Sequence, residues 1–568
     1  MISNWTLKNF KSIRDETTFN LSPLTVIAGT NSSGKSTVLQ SILLISQTLQ
    51  SRFKKQQLIL NGELTKLGTP ENLLHFETPN NSLIIKGGLD AEQNSKRLKQ
   101  IEFNLEFDLK SSRHVSLLTL NNFFFGNGTY FIRTIRMDSS ISDEQKIVDV
   151  RLKTQPHLDA TFIFSQFLPD RFRYPKPVAE VFKDELNELD DLMTTAEFRE
   201  DALEGDFNLP LGREIAALLN LVANRLSNVE NLPSAIIGCT TRNDLLALCI
   251  ELMHYDKLVF QDFKSNFQSI PLRKQIEASA EDDNILVNAA LPKELKEGID
   301  VFKVYFQDNI HYLGPLRDDP RVIYAIPNNI DFRHVGLKGE FTAAMLTLYG
   351  METVTYPVTA STAKPEMREG TLIEAISFWL SHMGLADSLN VKELTNIGYQ
   401  LNIQQSKLPN DLSLTNIGVG VSQVLPTLVM CLLVPSPCTL LIEQPELHLH
   451  PRVQSILGDF FLGLTYMGKQ VIVETHSEHI INRLFLRIAQ DGVEQKEETE
   501  LLERIGILFV EKEGTVSRFR EVKPNEFGVI SEDDWPKGFL DQSMLEIQEK
   551  IKAAKEKRQN KKGFLGRK

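Results

Sequence analysis

Residues 29–37 read Gly29-Thr-Asn31-Ser32-Ser33-Gly34-Lys35-Ser36-Thr37, a complete G-x-x-x-x-G-K-[ST] pattern. These residue types at this spacing suit the grip of a polyphosphate. Glycine lets the backbone curl until its N–H groups face phosphate oxygens. A helix that starts at the end of the loop adds partial positive charge. In such a loop the backbone of Gly29, Asn31, Ser32, Ser33 and Gly34 forms the cradle, and Thr37 continues into the helix. Lys35 reaches the β and γ phosphates, and Ser36 offers its hydroxyl to Mg²⁺. The chemistry implied is binding of ATP with Mg²⁺.

A phosphate site of this kind needs an acid at the end of a second strand to hold the metal. Thr439-Leu-Leu-Ile-Glu443 is the apolar run that ends in one, and Gln444-Pro-Glu446-Leu-His448-Leu-His450-Pro451 follows it. The next such run, Gln470-Val-Ile-Val-Glu474, ends in Thr475-His476-Ser477. If the two strands are neighbours, Glu474 stands beside Glu443. Upstream, Asn416-Ile-Gly418-Val-Gly420-Val-Ser422-Gln423 puts a glycine pair at the opening of an apolar helix. His448, His450 and His476 make a poor metal set. The H-x-H pair projects to one side only on a strand, and Pro451 predicts a helix start instead.

Several elements must position these residues. Residues 2–28 divide into two or three strands, and Leu24–Ala28 is the short apolar run that delivers the glycine loop. Residues 35–52 have helical spacing. From 57 to 165 the segments LILNGELTKLG, SLIIKGGL, IEFNLEFDL, TYFIRTIRM and ATFIFSQF are predicted strands. Residues 175–306 are predicted helical; within them, 184–206 hold ten acids and one Arg, the composition of a solvated face. Strand character returns at NIHYLGPL (309–316). From 370 to 520 helices over 371–385, 422–434, 452–463 and 477–490 alternate with strands over 399–404, 439–443, 470–475 and 505–511. Helix between strands implies a mostly parallel sheet covered on both faces. The fold class expected is α/β, with that sheet, an antiparallel β lobe and a helical insertion. The expected segments are 1–167 (first half of the ATP-binding head), 168–306 (insertion), 307–530 (second half) and 531–568 (extension and basic tail).

Composition narrows the classes further. The chain has 568 residues, 42% hydrophobic and 24% charged, which excludes wholesale disorder. Its net charge of −12 excludes a histone-like basic binder, although 550–568 carry nine Lys or Arg against Glu556 alone. Four cysteines form neither a disulfide framework nor a C-x-x-C pair, which fits a reducing, cytoplasmic setting. MISNWTLKNFKSIRDE has charges where a signal peptide would have its apolar region, so none is expected there. The most apolar stretch, Val424–Ile442, contains Pro426, Pro435, Ser436 and Pro437, so it reads as helix, turn and strand rather than a membrane span.

The opening LKNFKSI…LSPLTVIAGTNSSGKST, the EQPELHLHP and ETHSEHII blocks, and the motif order resemble the ABC-type ATPase head in its RecF/SMC/OLD-like soluble branch. Small bacterial ATPases of that branch are often found in anti-phage systems. The resemblance covers 1–80 and 309–530 and leaves 168–306 unassigned. It implies a homodimer, extendable to a higher oligomer, in which two heads sandwich two ATP molecules. Gly418, Gly420 and Ser422 would be the signature element that covers the partner's γ-phosphate, His476 the switch histidine on that phosphate, and His450 a residue near the interface. Two positions depart from the family's pattern. Glu443 stands where Asp is usual for Mg²⁺, and Gln444 stands where a glutamate usually orients or deprotonates the attacking water. An amide is a far weaker base, so slow hydrolysis is expected, or a base borrowed from Glu446 or Glu474.

Three functions are compatible with such a head. One is the sensor or scaffold of a bacterial anti-phage defence system with a separate effector, a nuclease or a toxin. A second is a repair or recombination ATPase that clamps DNA, for which the basic tail and cations such as Arg317 and Arg321 are the pointers. The third, a transporter subunit, is disfavoured because Gly418 lies far down the chain from Thr37 and no membrane segment is visible. An intrinsic nuclease is also disfavoured. The 91 residues after Ser477 hold no D-x-D, the adjacent Asp533 and Asp534 would face opposite ways on a strand, and Glu521-Val-Lys523 lacks a convincing upstream acid.

Overall fold

A computed structural model describes residues 1–52, 57–78, 82–90, 100–111, 116–126, 131–133, 144–147, 160–165, 167–177, 219, 223, 232–238, 248–249, 257–269, 284–291, 293–324, 333–358, 364–394, 398–405, 411–491, 500–531 and 549–550. The acidic run 184–206, Asp533, Asp534, all of TYFIRTIRM except 131–133, and the tail beyond 550 lie outside them. By contacts the chain divides into two compact units. One comprises Met1–His157, Phe164–Asp170 and Leu291–Lys568; the other comprises Leu158–Ile163 and Arg171–Ala290.

In the first unit, β1 (Ile2–Lys8), β2 (Thr17–Asn20) and β3 (Leu24–Gly29) lead into α1 (Ser36–Gln50). Then come β4 (Ser82–Asp90), β5 (Gln100–Ser111), β6 (Ser116–Gly126) and β7 (Phe131–Arg133), which join β1 and β2 in an antiparallel sheet of order β2-β1-β4-β5-β6-β7. β8 (Glu144–Ile147) follows them; the second unit then holds most of β9 (Ala160–Ser165) and β10 (Leu168–Pro177), helices α2 (Leu232–Gly238) and α3 (Lys257–Ser269), and β11 (Asn284–Ala290). β10 pairs antiparallel with β11. β11 and the last residues of β10 fall within 175–306, the stretch expected to be helical. The β-branched alternation of NILVNAA and the helix-breaking Pro175 and Pro177 favour extended backbone at its two ends.

The rest of the first unit begins with α4 (Lys293–Asp308), the end of the expected insertion. Its Phe302 and Phe306 pack on Trp5 and Phe103, with ring centroids 5.0 Å apart for Phe103–Phe302 and 6.0 Å for Trp5–Phe306. Then follow β12 (Ile310–Leu313), α5 (Thr342–Tyr349), the hairpin of β13 (Thr353–Val358) and β14 (Glu366–Thr371), α6 (Leu372–His382), and a small sheet of β15 (Ser388–Leu394), β16 (Gly398–Gln404) and β17 (Leu412–Ser413). The chain continues through α7 (Val419–Leu433), β18 (Cys438–Glu443), α8 (Pro451–Tyr466), β19 (Lys469–Thr475), α9 (Glu478–Gln490), β20 (Ile505–Glu513) and β21 (Val516–Glu521).

The central sheet has the order β12-β18-β19-β3-β20-β21. Its first five strands run parallel and β21 returns antiparallel to β20. Every residue of β18 and β19 is buried, as continuous apolar runs under two helical layers must be. Trp379 of α6 packs edge-on against Phe460 of α8 at 4.9 Å in the core on one face. Gln470 ties the two sheets together: its amide accepts from the Ile2 N–H at 2.9 Å and donates to the Ile2 carbonyl at 2.7 Å.

One predicted strand is absent. LILNGELTKLG forms a loop whose backbone is held by side chains. The Thr65 N–H donates to Gln47 at 3.0 Å, and Asn61 exchanges two bonds with the Gly68 backbone at 2.8 and 2.9 Å. With its polar groups satisfied this way, the segment needs no ladder partner. Among the described residues no helix is long and apolar enough to cross a membrane; Val424–Ile442 ends α7, turns and enters β18.

Candidate functional site

The glycine loop leaves the carboxyl end of β3 and enters α1. Gly29 has φ +151°, and a Cβ there would lie 2.3 Å from the Val510 carbonyl oxygen. Gly34 has φ +100°, and its Cβ would lie 2.2 Å from Ser517 Oγ and 2.5 Å from Ser12 Oγ. Both positions therefore exclude any side chain, for conformation and for space. The loop is clamped from outside as well. Ser517 Oγ donates to the Ser33 carbonyl at 2.5 Å, and the Ser517 N–H donates to the Ser12 carbonyl at 2.8 Å. Asn31 and Ser32 are exposed, and Ser32 has the left-handed φ of 59° that turns the loop. The Ser33 hydroxyl is buried without a partner. Thr37 is buried in the first turn of α1, its hydroxyl 3.4 Å from that of Ser12.

Lys35 folds over its own loop and donates to the carbonyls of Thr30 at 2.7 Å and Gly29 at 3.2 Å. Burial pulls its pKa down, and the charges of Glu474 and Glu446 oppose that. A phosphate group offers this ammonium a better acceptor than two neutral carbonyls.

Three carboxylates gather at the same edge of the sheet. Glu443 and Glu474 end neighbouring parallel strands and are register partners, so both side chains leave the same face. Glu443 is raised to about 7, first by burial and then by Glu474; the Tyr312 hydroxyl, which donates to it at 2.9 Å, and Arg317 oppose the rise. Glu474 is also raised by burial, against a hydrogen bond from Ser36 and the charge of Lys35. Ser36, expected with Glu443 as a Mg²⁺ ligand, bonds Glu474. Glu446 is raised by burial; one of its oxygens accepts the His476 N–H at 2.7 Å. Gln444 has φ 45°, and its N–H donates to the Glu474 carbonyl at 2.7 Å. The His476 ring hydrogen-bonds the Gly29 backbone, and burial and then Lys35 lower its pKa. Glu443, Gln444, Glu446, Glu474, His476 and the glycine loop therefore form one connected site.

The donor set fits a hard cation. Glu474 Oε2 is buried with no partner, and burial and then Glu474 raise the pKa of Glu443, a shift that a divalent charge would oppose. Among the described residues no three His, Cys, Asp or Glu side chains are arranged to hold a metal alone. Mg²⁺ at Ser36, Glu443 and Glu474 would draw further ligands from phosphate oxygens and water, as that ion commonly does.

The glycine pair before α7 is differently placed. Gly418 caps the helix with φ −56°, and no atom lies within 4 Å of where its Cβ would be. Gly420 falls inside the first turn, with Leu449 as its nearest neighbour at 3.5 Å. The buried Ser422 hydroxyl turns back on the Val419 carbonyl at 2.7 Å. The structure gives none of the three a contact with the glycine loop of its own chain. His450 is exposed and caps α8, accepting the Arg452 N–H at 3.3 Å. Pro451 opens that helix, and His448 has φ 60°.

Sequence reasoning missed Tyr312 and assigned Arg317 only as a scattered cation. Arg317 is buried and donates to the Glu443 carbonyl at 3.3 Å; its Nε and Nη1 have no partner. The signal that could have found both is the acid-free run NIHYLGPLR, an apolar strand that ends in a lone arginine.

Residues 1–309 and 377–481, well over half of the chain, match the family model described as AAA ATPase domain. No curated protein matches in sequence. Among solved structures the chain is similar to the Smc head domain with an extended coiled coil bound to the C-terminal domain of ScpA from Pyrococcus furiosus. That pair has 11% identity and a TM-score of 0.35 over 97% of this chain and 99% of the other. It is also similar to the SMC head domain from Thermotoga maritima, at 10% identity, 92% and 99% coverage and a TM-score of 0.34. The family match, and not these distant likenesses, carries the assignment.

Proposed function

The chain belongs to the AAA ATPase domain family, and on that premise we propose that it is a P-loop ATPase of the ABC type that acts as an ATP-held scaffold. In this proposal it binds ATP and Mg²⁺ at Gly29–Thr37, hydrolyses ATP slowly, and dimerises head to head. It serves as sensor or scaffold subunit of a cytoplasmic bacterial anti-phage defence system whose effector is a separate protein. Lys35 exchanges its two loop carbonyls for the β and γ phosphates. The backbone N–H groups of 31–35 hold the phosphates from below. His476, whose ring bonds the loop at Gly29, would contact the γ-phosphate. Bound Mg²⁺ would neutralise charge on the phosphates and the paired glutamates. Gln444 can orient a water but cannot take its proton.

The observation that carries the proposal is the contrast between a glycine loop that its own chain completes and a glycine-capped helix, α7, that its own chain leaves open. Gly418 has empty space around it, no side chain caps the helix, and Val419 beside it is exposed. A helix start left open in this way accepts an anion, and in a two-headed assembly that anion is the partner's γ-phosphate. Val419→Glu tests this. An acid in the first turn stabilises the helix and repels phosphate. The expected outcome is a folded monomer that binds ATP normally but fails to dimerise with trapped ATP, seen by mass measurement. A dimer equal to the parent's sinks the sandwich. The defence role rests on the resemblance of the EQPELHLHP and ETHSEHII blocks. Loss of phage protection on Lys35→Ala, in cells that carry the neighbouring genes, tests it. Salt-sensitive retention of duplex DNA by the chain alone would favour the DNA clamp instead.

A further inference from the structure

Gln444 leaves the expected base position empty of a base, yet the edge of the sheet holds three carboxylates. They differ in what occupies them. Glu443 accepts from the Tyr312 hydroxyl at 2.9 Å. Glu474 accepts from Ser36, the hydroxyl on the metal side of the loop. Glu446 is braced through one oxygen only, by the His476 N–H at 2.7 Å and the Thr475 hydroxyl. Its other oxygen, Oε2, is buried and has no partner. The charge of Glu446 acts on both cations of the site, Lys35 on the loop and Arg317 after β12. Arg317 is buried itself and keeps two unpartnered donors, Nε and Nη1. Unpartnered acceptors and donors in one buried, charge-coupled group are what an internal water needs to be held.

We infer that Glu446 is the catalytic base of this ATPase, taking over the role that Gln444 cannot fill. The inference rests on the reading of the site as an ATPase. Water held by Glu446 Oε2 and the Arg317 donors attacks the γ-phosphorus. The new P–O bond forms as the bond from the γ-phosphorus to the β–γ bridging oxygen breaks, and ADP leaves with that electron pair. The proton of the water passes to Glu446 Oε2. The His476 N–H fixes the carboxylate's orientation, so the same histidine that touches the loop aims the base. Turnover through a residue displaced from the usual position is slow but not absent.

The test uses the full-length chain with ATP and Mg²⁺, reading nucleotide affinity and hydrolysis separately. Glu446→Gln keeps an acceptor for the His476 N–H. It is expected to bind ATP within about threefold of the parent while kcat falls by roughly 10²-fold or more, the usual worth of a general base. Adding Gln444→Glu to Glu446→Gln should restore hydrolysis, because a base returns at the usual position. A merely structural Glu446 would give no such rescue. Glu446→Asp guards against misfolding and should keep measurable turnover at an unchanged KM. Parental hydrolysis by Glu446→Gln, or a double variant as inactive as Glu446→Gln, overturns the inference and leaves the ATPase reading standing. So does a parent that binds ATP but never turns it over. A parent that does not bind ATP overturns the ATPase reading itself.

Discussion

The two glycine pairs of the site are glycines for different reasons. A Cβ on Gly29 or Gly34 would sit 2.3 or 2.2 Å from an atom of the same chain, and both residues have φ in the left-handed half. Gly418 has nothing within 4 Å, Gly420 meets only ordinary contact at 3.5 Å, and both have helical or extended backbone. The fold of this chain demands the first pair and would tolerate alanine at the second. Among the described residues, nothing requires glycine at the second pair. The same contrast appears in polar satisfaction. The loop is clamped by Ser517 and Ser12, whereas α7 starts without a side-chain cap.

The contrast can be broken at either end, and the largest effect is expected at the loop. Gly34→Ala forces a strained φ, worth about 1–3 kcal/mol, and displaces Ser12 and Ser517. It should lower the melting temperature and abolish ATP binding together. Lys35→Ala should remove ATP binding, by roughly 100-fold or more, with the fold intact, because it deletes only the charge on the phosphates. Equal ATP affinity for Lys35→Ala and the parent in a fluorescent-nucleotide titration would falsify the P-loop reading.

A smaller effect, on rate alone, is expected beside the loop. Gln444→Glu places a base where the amide stands and should raise kcat at constant KM, by up to about 10²-fold. An unchanged rate would show that chemistry does not limit turnover.

The loop side should also respond to pH in a way the open helix does not. Glu443 is raised to about 7 by burial and then by Glu474. In the ligand-free fold it therefore keeps a proton that the unfolded chain has already lost. Its contribution to stability is complete below the ordinary carboxylate value and is lost as pH rises through about 7. Mg²⁺ with ATP favours the ionised form. The thermal shift on adding both should grow between about pH 6 and about pH 8, and Glu443→Gln should flatten that growth. A shift independent of pH in the parent would remove the buried pair as its cause.

The smallest effect belongs to the second glycine pair and is opposite in sign. Gly420→Ala sits in a helical turn with room for its methyl and should stabilise the chain by about 0.5–1 kcal/mol. ATP-driven dimerisation should weaken in the same variant. A stabilised variant that still dimerises like the parent would show that Gly420 faces no partner.

How much of this was legible in the sequence follows from the range of each signal. β18 and β19 were visible because strands buried on both faces are continuous apolar runs, and their acids end those runs. The parallel sheet was legible for the same reason. LILNGELTKLG carried a similar apolar signal and misled, because Gln47 and Asn61 satisfy its backbone with side chains that no local pattern announces. The strands at both ends of the 168–306 segment were also hidden, since β10 and β11 find each other across more than a hundred residues. The bond from Ser36 to Glu474 rather than to Glu443 could not be read from spacing.

The sequence by itself determined the ATP loop. Its geometry is local: glycines, a lysine and a helix start within nine residues allow one anion-binding curl and little else. The sequence also marked Gln444 as a neutral residue in a site that wants a base. The tertiary structure alone decided which carboxylates meet. Parallel strands separated along the chain set Glu443 level with Glu474, while β12, paired to β18, brings Tyr312 and Arg317 to the same edge. The physical reason is that electrostatics and burial act through space: each of these charges is ordinary in its own segment and becomes functional only where the strands stack it against the others.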